Sequence, residues 1–110
     1  MEETQVPTVS PDTVKAAMDA HEQFILLDVR TPGEVSRGKI AGSINLPTDE
    51  VVTRISEVVP DTHAKIYVYC LSANRSASVV AYMRSVGYTD VWNMQYGILG
   101  WRAKYFPVES

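Results

Sequence analysis

Two runs in this chain are apolar at successive positions rather than at alternate ones. They are Phe24-Ile25-Leu26-Leu27-Asp28-Val29 and Lys65-Ile66-Tyr67-Val68-Tyr69, each of strand length. A strand with one wet face alternates apolar and polar side chains. A strand that does not alternate is covered on both faces, which is the condition inside a parallel sheet. The stretches between such runs are too long for hairpins and carry helical spacing. Strand and helix in alternation predict an α/β fold: a central parallel sheet of four to five strands with helices on both faces. At 110 residues there is room for a single domain, residues 1–110, with 1–9 expected as a partly flexible N-terminal segment.

The helices have readable ends. Ser10-Pro11-Asp12 reads as an N-cap, a first-turn proline and a first-turn acid, followed by Val14, Ala17, Met18 and His21 at helical spacing. Thr31-Pro32-Gly33-Glu34 has the spacing of a capping box, and Gly38 and Gly42 keep the helix it opens short. Ile44-Asn45-Leu46 predicts a short strand before Pro47. Val51, Val52, Ile55, Val58 and Val59 predict an amphipathic helix stopped by Pro60. Val79, Val80, Met83 and Val86 mark another, with Gly87 just past its end. Val91-Trp92-Asn93-Met94 predicts a last short strand, and Ile98 to Phe106 a last helix.

Composition narrows the chemistry. Hydrophobic residues make up 45% and charged residues 21%, a globular balance. Ten Lys plus Arg against thirteen Asp plus Glu, with no basic run, argue against nucleic acid and against a polybasic membrane patch. No stretch approaches the roughly 18 apolar residues of a membrane span. The polar, acidic start Met1-Glu2-Glu3-Thr4-Gln5 does not resemble a secretory signal, so a cytoplasmic location is expected. One cysteine excludes an internal disulfide. With only His21 and His63 beside it, no metal site is expected.

In an open parallel sheet the ligand lies beyond the carboxyl ends of the strands, which directs attention to Asp28 and Cys70. Alone, a cysteine after an apolar strand is a small buried hydrophobe. Here it opens the loop Cys70-Leu71-Ser72-Ala73-Asn74-Arg75-Ser76, which leads into a helix. Backbone N–H groups of such a loop can converge on one centre, and the helix start adds unpaired N–H groups and its positive dipole end. A thiolate is favoured there, so the Cys70 pKa should fall below the usual value of about 8.5. Arg75 adds a permanent charge, toward the sulfur or an incoming anion. The competing reading pairs it with a carboxylate such as Asp28 or Glu34.

The sequence resembles single-domain rhodaneses, the sulfurtransferase homology domain, over nearly its whole length. Leu26-Leu27-Asp28-Val29-Arg30 with Glu34 is similar to that family's first signature, and Gly38-Lys39-Ile40-Ala41-Gly42-Ser43-Ile44-Asn45-Leu46-Pro47 to its second. Cys70-Leu71-Ser72-Ala73-Asn74-Arg75-Ser76 is similar to its catalytic loop. Gly97 and Trp101, followed by Pro107-Val108-Glu109, are similar to its C-terminal signature.

The resemblance implies a reaction. Cys70 would take sulfane sulfur from a small donor such as thiosulfate or polysulfide, and hold it as a persulfide. It would then pass it to cyanide, a thiol acceptor or a sulfur-accepting protein. Loop residues Leu71, Ser72, Ala73, Asn74, Arg75 and Ser76 would form the sulfur cradle, and no cofactor is implied. Two other functions stay open: a sulfur carrier or partner-binding module, and a small cysteine-dependent phosphatase or arsenate reductase. The loop counts against the second, because those enzymes carry one residue more between Cys and Arg than the four found here.

Departures from the family pattern concern substrate choice. Lys39 stands where histidine is usual, Ala73 where a loop glycine is common, and Tyr96 in place of the first glycine of a pair. Ala73 carries a Cβ, so a positive φ there is costly. Tyr96 would narrow the pocket mouth or add a hydroxyl to it. Asp28 is expected to bond backbone at a strand end or to pair with a cation. Arg30 and Glu34, four apart, are expected to pair locally, and with Tyr96 the residues Asp28 and Arg30 are the supporting candidates. Trp92 and Trp101 read as core or partner-facing aromatics, His21 as a surface helix residue and His63 as a loop residue.

Overall fold

The computed structural model describes residues 6–110. Five parallel strands form one sheet in the order β1-β5-β4-β2-β3: β1 Thr8–Val9, β2 Ile25–Asp28, β3 Ile44–Asn45, β4 Ile66–Tyr69 and β5 Val91–Met94. The helices are α1 Pro11–Asp19, α2 Pro32–Val35, α3 Val51–Val58, α4 Asn74–Ser85 and α5 Gly97–Ala103, with a 3-10 turn at Thr48–Glu50 leading into α3. The fold expected from the two apolar runs is therefore the one adopted.

The central strand explains the absence of alternation. All four residues of β4 are buried. Ile66 and Val68 join Leu27, Val51, Ile55, Val79, Val80 and Met83 in the core under α3 and α4. Tyr67 and Tyr69 join Leu26, Val14, Ala17, Ile98 and Trp101 in the core under α1 and α5. Successive side chains point to opposite faces, and each face has helices to meet them.

Most helix ends follow their sequence signals. Ser10 caps α1 by accepting from the Thr13 N–H. Thr31 and Glu34 complete the capping box of α2: the Glu34 N–H donates to the Thr31 hydroxyl oxygen, and the Thr31 N–H to the Glu34 carboxylate.

Two segments depart from expectation. Within the N-terminal segment expected as partly flexible, Thr8–Val9 pairs with Asn93 and Met94 as an edge strand; residues 1–5 lie outside the described residues. Two residues carry too little pattern to announce a strand. The last helix stops at Ala103 rather than Phe106. The chain turns back through Tyr105 at φ 59°, which brings Phe106 edge-on to Trp101 at 5.0 Å and lets the Trp101 indole N–H reach the Pro107 carbonyl.

Candidate functional site

β4 delivers Cys70 to the carboxyl edge of the sheet, where the residue is 1% exposed. The chain then turns sharply into α4, and the turn aims donors back at the sulfur. Ala73 N–H donates to Cys70 Sγ at 3.1 Å, Ser76 N–H at 3.4 Å, and the Ser76 hydroxyl oxygen lies 3.3 Å away. This closure puts Ala73 in the left-handed region at φ 89°, as the residue before α4. A Cβ in that conformation costs about 1–2 kcal/mol. The strain is held by what it accomplishes, since the Ala73 N–H faces the sulfur and its carbonyl accepts from Asn93 Nδ2 at 3.3 Å.

The other side of the loop is held by α5. Ile98 N–H donates to the Cys70 carbonyl at 2.9 Å and Leu99 N–H to the Leu71 carbonyl at 3.1 Å. First-turn N–H groups of α5 thereby satisfy loop carbonyls, which leaves loop N–H groups free to face inward. Close approach requires Gly97: at φ 61° it lies so near that a Cβ would collide with the carbonyl oxygens of Cys70 and Leu71. Tyr96 precedes it in the left-handed region at φ 65°, its side chain 61% exposed beside the loop.

Burial alone would push the Cys70 thiol up. The backbone N–H groups of Ser76, Ala73 and Ser72 draw it down further, and the thiol is more acidic than an ordinary cysteine. The positive end of α4 acts in the same direction.

Of the pairings the sequence offered near the loop, Arg75 with a carboxylate and Asp28 with a cation are adopted, and Arg30 with Glu34 is not. Arg75 Nη1 and Nη2 meet Glu34 Oε1 and Oε2, each at 2.8 Å. The Arg75 guanidinium, more than any other partner, holds the Glu34 carboxyl down at about 2. The expected Arg30–Glu34 ion pair is corrected, because Arg30 reaches only the Glu34 backbone carbonyl, at 3.4 Å. Its guanidinium instead binds Asp28, Nη2 to Oδ2 at 2.7 Å and Nε to Oδ1 at 3.0 Å, and also donates to the Gly38 carbonyl. Asp28 is fully buried, and a buried carboxylate without a cation would be far costlier than a surface pair foregone. The Asp28–Arg30 pair ties β2 to the segment after α2 and makes no hydrogen bond to the cysteine loop.

The remaining residues singled out in the sequence separate cleanly. Leu71, Ser72 and Asn74 are exposed on the loop, while Ser76 is buried against the sulfur. Lys39 faces Glu109 at 3.9 Å, and the backbones of the two residues bridge. His63 is exposed in the turn before β4, and His21, expected on a helix, is exposed just past the end of α1 at φ 57°. Trp101 is core, and Trp92 lies under the Arg84 guanidinium. Arg75 also borders a cleft of about 270 Å³ between α3 and α4, walled by Val51, Val52, Val79 and Tyr82.

Asn93 was not among the sequence candidates. It is 5% exposed on β5, and besides holding Ala73 it accepts the Ser76 hydroxyl at 2.5 Å. Its signal was an amide inside an otherwise apolar strand.

A family model described as Rhodanese-like domain matches residues 10–104. A sulfurtransferase of Allochromatium vinosum is 30% identical over 103 residues, 94% of each chain. A thiosulfate sulfurtransferase of Pseudomonas putida is 33% identical over 89 residues, 81% of this chain and 78% of that one. Among solved structures, a rhodanese-related protein from Thermoplasma volcanium superposes with a TM-score of 0.83 at 28% identity, covering 94% of this chain and 97% of the other.

Proposed function

The chain belongs to the rhodanese-like domain family, and from that premise we propose that it is a sulfurtransferase working through a persulfide on Cys70. The observation that carries the reading is the set of N–H donors converging on Cys70 Sγ from Ala73 and Ser76. A donor set of this kind stabilises an anionic sulfur before, during and after transfer.

With thiosulfate as donor, the Cys70 thiolate attacks the outer sulfur. A new S–S bond forms, the old one breaks, and sulfite leaves with the electron pair. The persulfide anion stays over the same N–H groups. An acceptor thiolate or cyanide then attacks the outer sulfur, and Cys70 departs as the thiolate that began the cycle. Charge is conserved at each step and no proton is required, which suits a site whose donors are backbone amides. The names of the relatives support thiosulfate as the donor class.

Loop size supports sulfur over a tetrahedral oxyanion. Four residues separate Cys70 from Arg75, and the N–H groups already lie 3.1–3.4 Å from Sγ. Arg75 is spent on Glu34, so the charge a bound phosphate would need is compensated. The test is turnover: thiosulfate and cyanide should give thiocyanate with the parent and none with Cys70→Ser. An aryl phosphate hydrolysed through Cys70 would overturn the reading. Persulfide formation with negligible thiocyanate turnover would favour a carrier.

A further inference from the structure

The hydroxyl of Ser76 has two claimants and one proton. On one side its oxygen lies 3.3 Å from Cys70 Sγ; on the other it lies 2.5 Å from Asn93 Oδ1. Which way the Asn93 amide faces is fixed by its second partner. Its other end meets the Ala73 carbonyl, which can only accept, so Nδ2 must point there and Oδ1 toward Ser76. An amide oxygen can only accept as well. The Ser76 proton therefore goes to Asn93, and Ser76 turns a lone pair toward the sulfur. A lone pair welcomes S–H and opposes S⁻.

We propose that Asn93 is a positioning residue that competes with the Cys70 sulfur for the single proton of Ser76. With the thiol protonated, the chain of donors runs from Cys70 to Ser76 to Asn93 and every group is satisfied. When the sulfur becomes anionic, the hydroxyl must either keep facing Asn93, against the charge, or turn to the sulfur and leave a buried amide oxygen without a donor. Both courses disfavour the anion. Asn93 thus restrains the acidity that the backbone donors confer. The restraint has a use under the sulfurtransferase reading, on which this inference rests. A thiolate loses nucleophilicity as its pKa falls, and attack is fastest when that pKa is near the ambient pH.

Other groups around the sulfur do not supply the same effect. On α4 the facing charge is Arg75, paired with Glu34 of α2. At the end of β2 it is Asp28, paired with Arg30. From α5 the residues bonded to the loop, Ile98 and Leu99, do not titrate, and Gly97 between them and Tyr96 carries no side chain.

The test is the ultraviolet absorbance of the thiolate against pH, with Cys70→Ser as the blank and no sulfur donor present. Asn93→Ala should move the midpoint down by about one unit, a tenfold larger thiolate fraction at a given pH. A residue that merely braced the loop would do the opposite, since a loosened loop loses N–H donors. Ser76→Ala should move the parent little and the Asn93→Ala protein up by about one unit. An unmoved or raised midpoint in Asn93→Ala, or a Ser76→Ala shift of equal size in both backgrounds, would overturn the proposal. Should Asn93→Ala not fold, Ser76→Ala alone decides: a rise of a full unit in the parent means that Ser76 already serves the sulfur. Since no donor is used, a protein that never carries sulfur can still pass or fail.

Discussion

Arg75 and Glu34 face each other through two parallel hydrogen bonds of 2.8 Å, joining the cysteine loop to α2 across 41 residues of sequence. The fork geometry fixes the start of α4, and with it the Ser76 N–H that faces the sulfur. The pair also sets how much charge reaches Cys70. Arg75→Ala removes the cation, whereas Glu34→Gln leaves it uncompensated. The Cys70 titration should therefore rise in the first and fall in the second, each by roughly 0.3 unit because the pair is partly exposed. Thiolate absorbance at low salt reads both. Shifts of the same sign would assign Arg75 to anchoring the loop alone.

The same pair makes stability depend on acid. Glu34 titrates at about 2 in the folded protein, below the ordinary 4.5, chiefly through its hydrogen bonds to Arg75. A carboxyl depressed by folding stabilises fully above its unfolded pKa, and that contribution disappears as pH falls through the folded value. Stability should thus decline between about pH 4.5 and 2. Glu34→Gln should flatten that slope, at a cost near neutral pH of about 1 kcal/mol, since the pair is partly screened. Urea midpoints across that range measure it. An identical slope in the variant would exclude Glu34 as the source.

Ala73 offers a gain. Its φ of 89° is easy for glycine and strained for alanine. Ala73→Gly should relieve about 1–2 kcal/mol of strain and give back about 0.4–1 kcal/mol through a freer unfolded chain. The net is a stabilisation of roughly 0.5–1 kcal/mol with sulfur loading retained. Chemical denaturation of parent and variant decides; a less stable variant means that the loop does not hold strain at Ala73.

Gly97 offers a loss. Gly97→Ala places a Cβ against the carbonyls of Cys70 and Leu71, at a φ of 61°. Either α5 or the cysteine loop has to move, and both carry the bonds that orient the N–H donors. The variant should lose more than about 2 kcal/mol of stability and load sulfur slowly even where it remains folded. Thermal unfolding and loading rate, read together, check this; normal values of both would remove Gly97 from the construction of the loop.

These residues also show what a sequence can disclose. The two apolar runs announced a sheet covered on both faces, and Thr31 with Glu34 announced the cap of α2, because pattern and capping are local properties. The cysteine loop was legible for the same reason: strand, small polar residues and helix start are contiguous. Ion-pair choice was legible only as alternatives. Four-residue spacing suggested Arg30 with Glu34, yet a buried Asp28 captured Arg30 and left Glu34 for Arg75. Ala73 shows the same limit. Intrinsic preference argues against a positive φ there, and the bonds made by its N–H and carbonyl override the preference. Asn93 was visible as an amide among apolar neighbours, but its partners come from a loop about 20 residues earlier that only the sheet order brings alongside.

Intact mass after incubation with thiosulfate, followed by mapping of the modified peptide, tests the sulfurtransferase reading most directly. Cys70 should gain a single sulfur atom, removable by cyanide or a thiol, and Cys70→Ser should gain none. Equal addition to the Cys70→Ser protein, or no addition to a folded parent with thiosulfate or polysulfide, would contradict it.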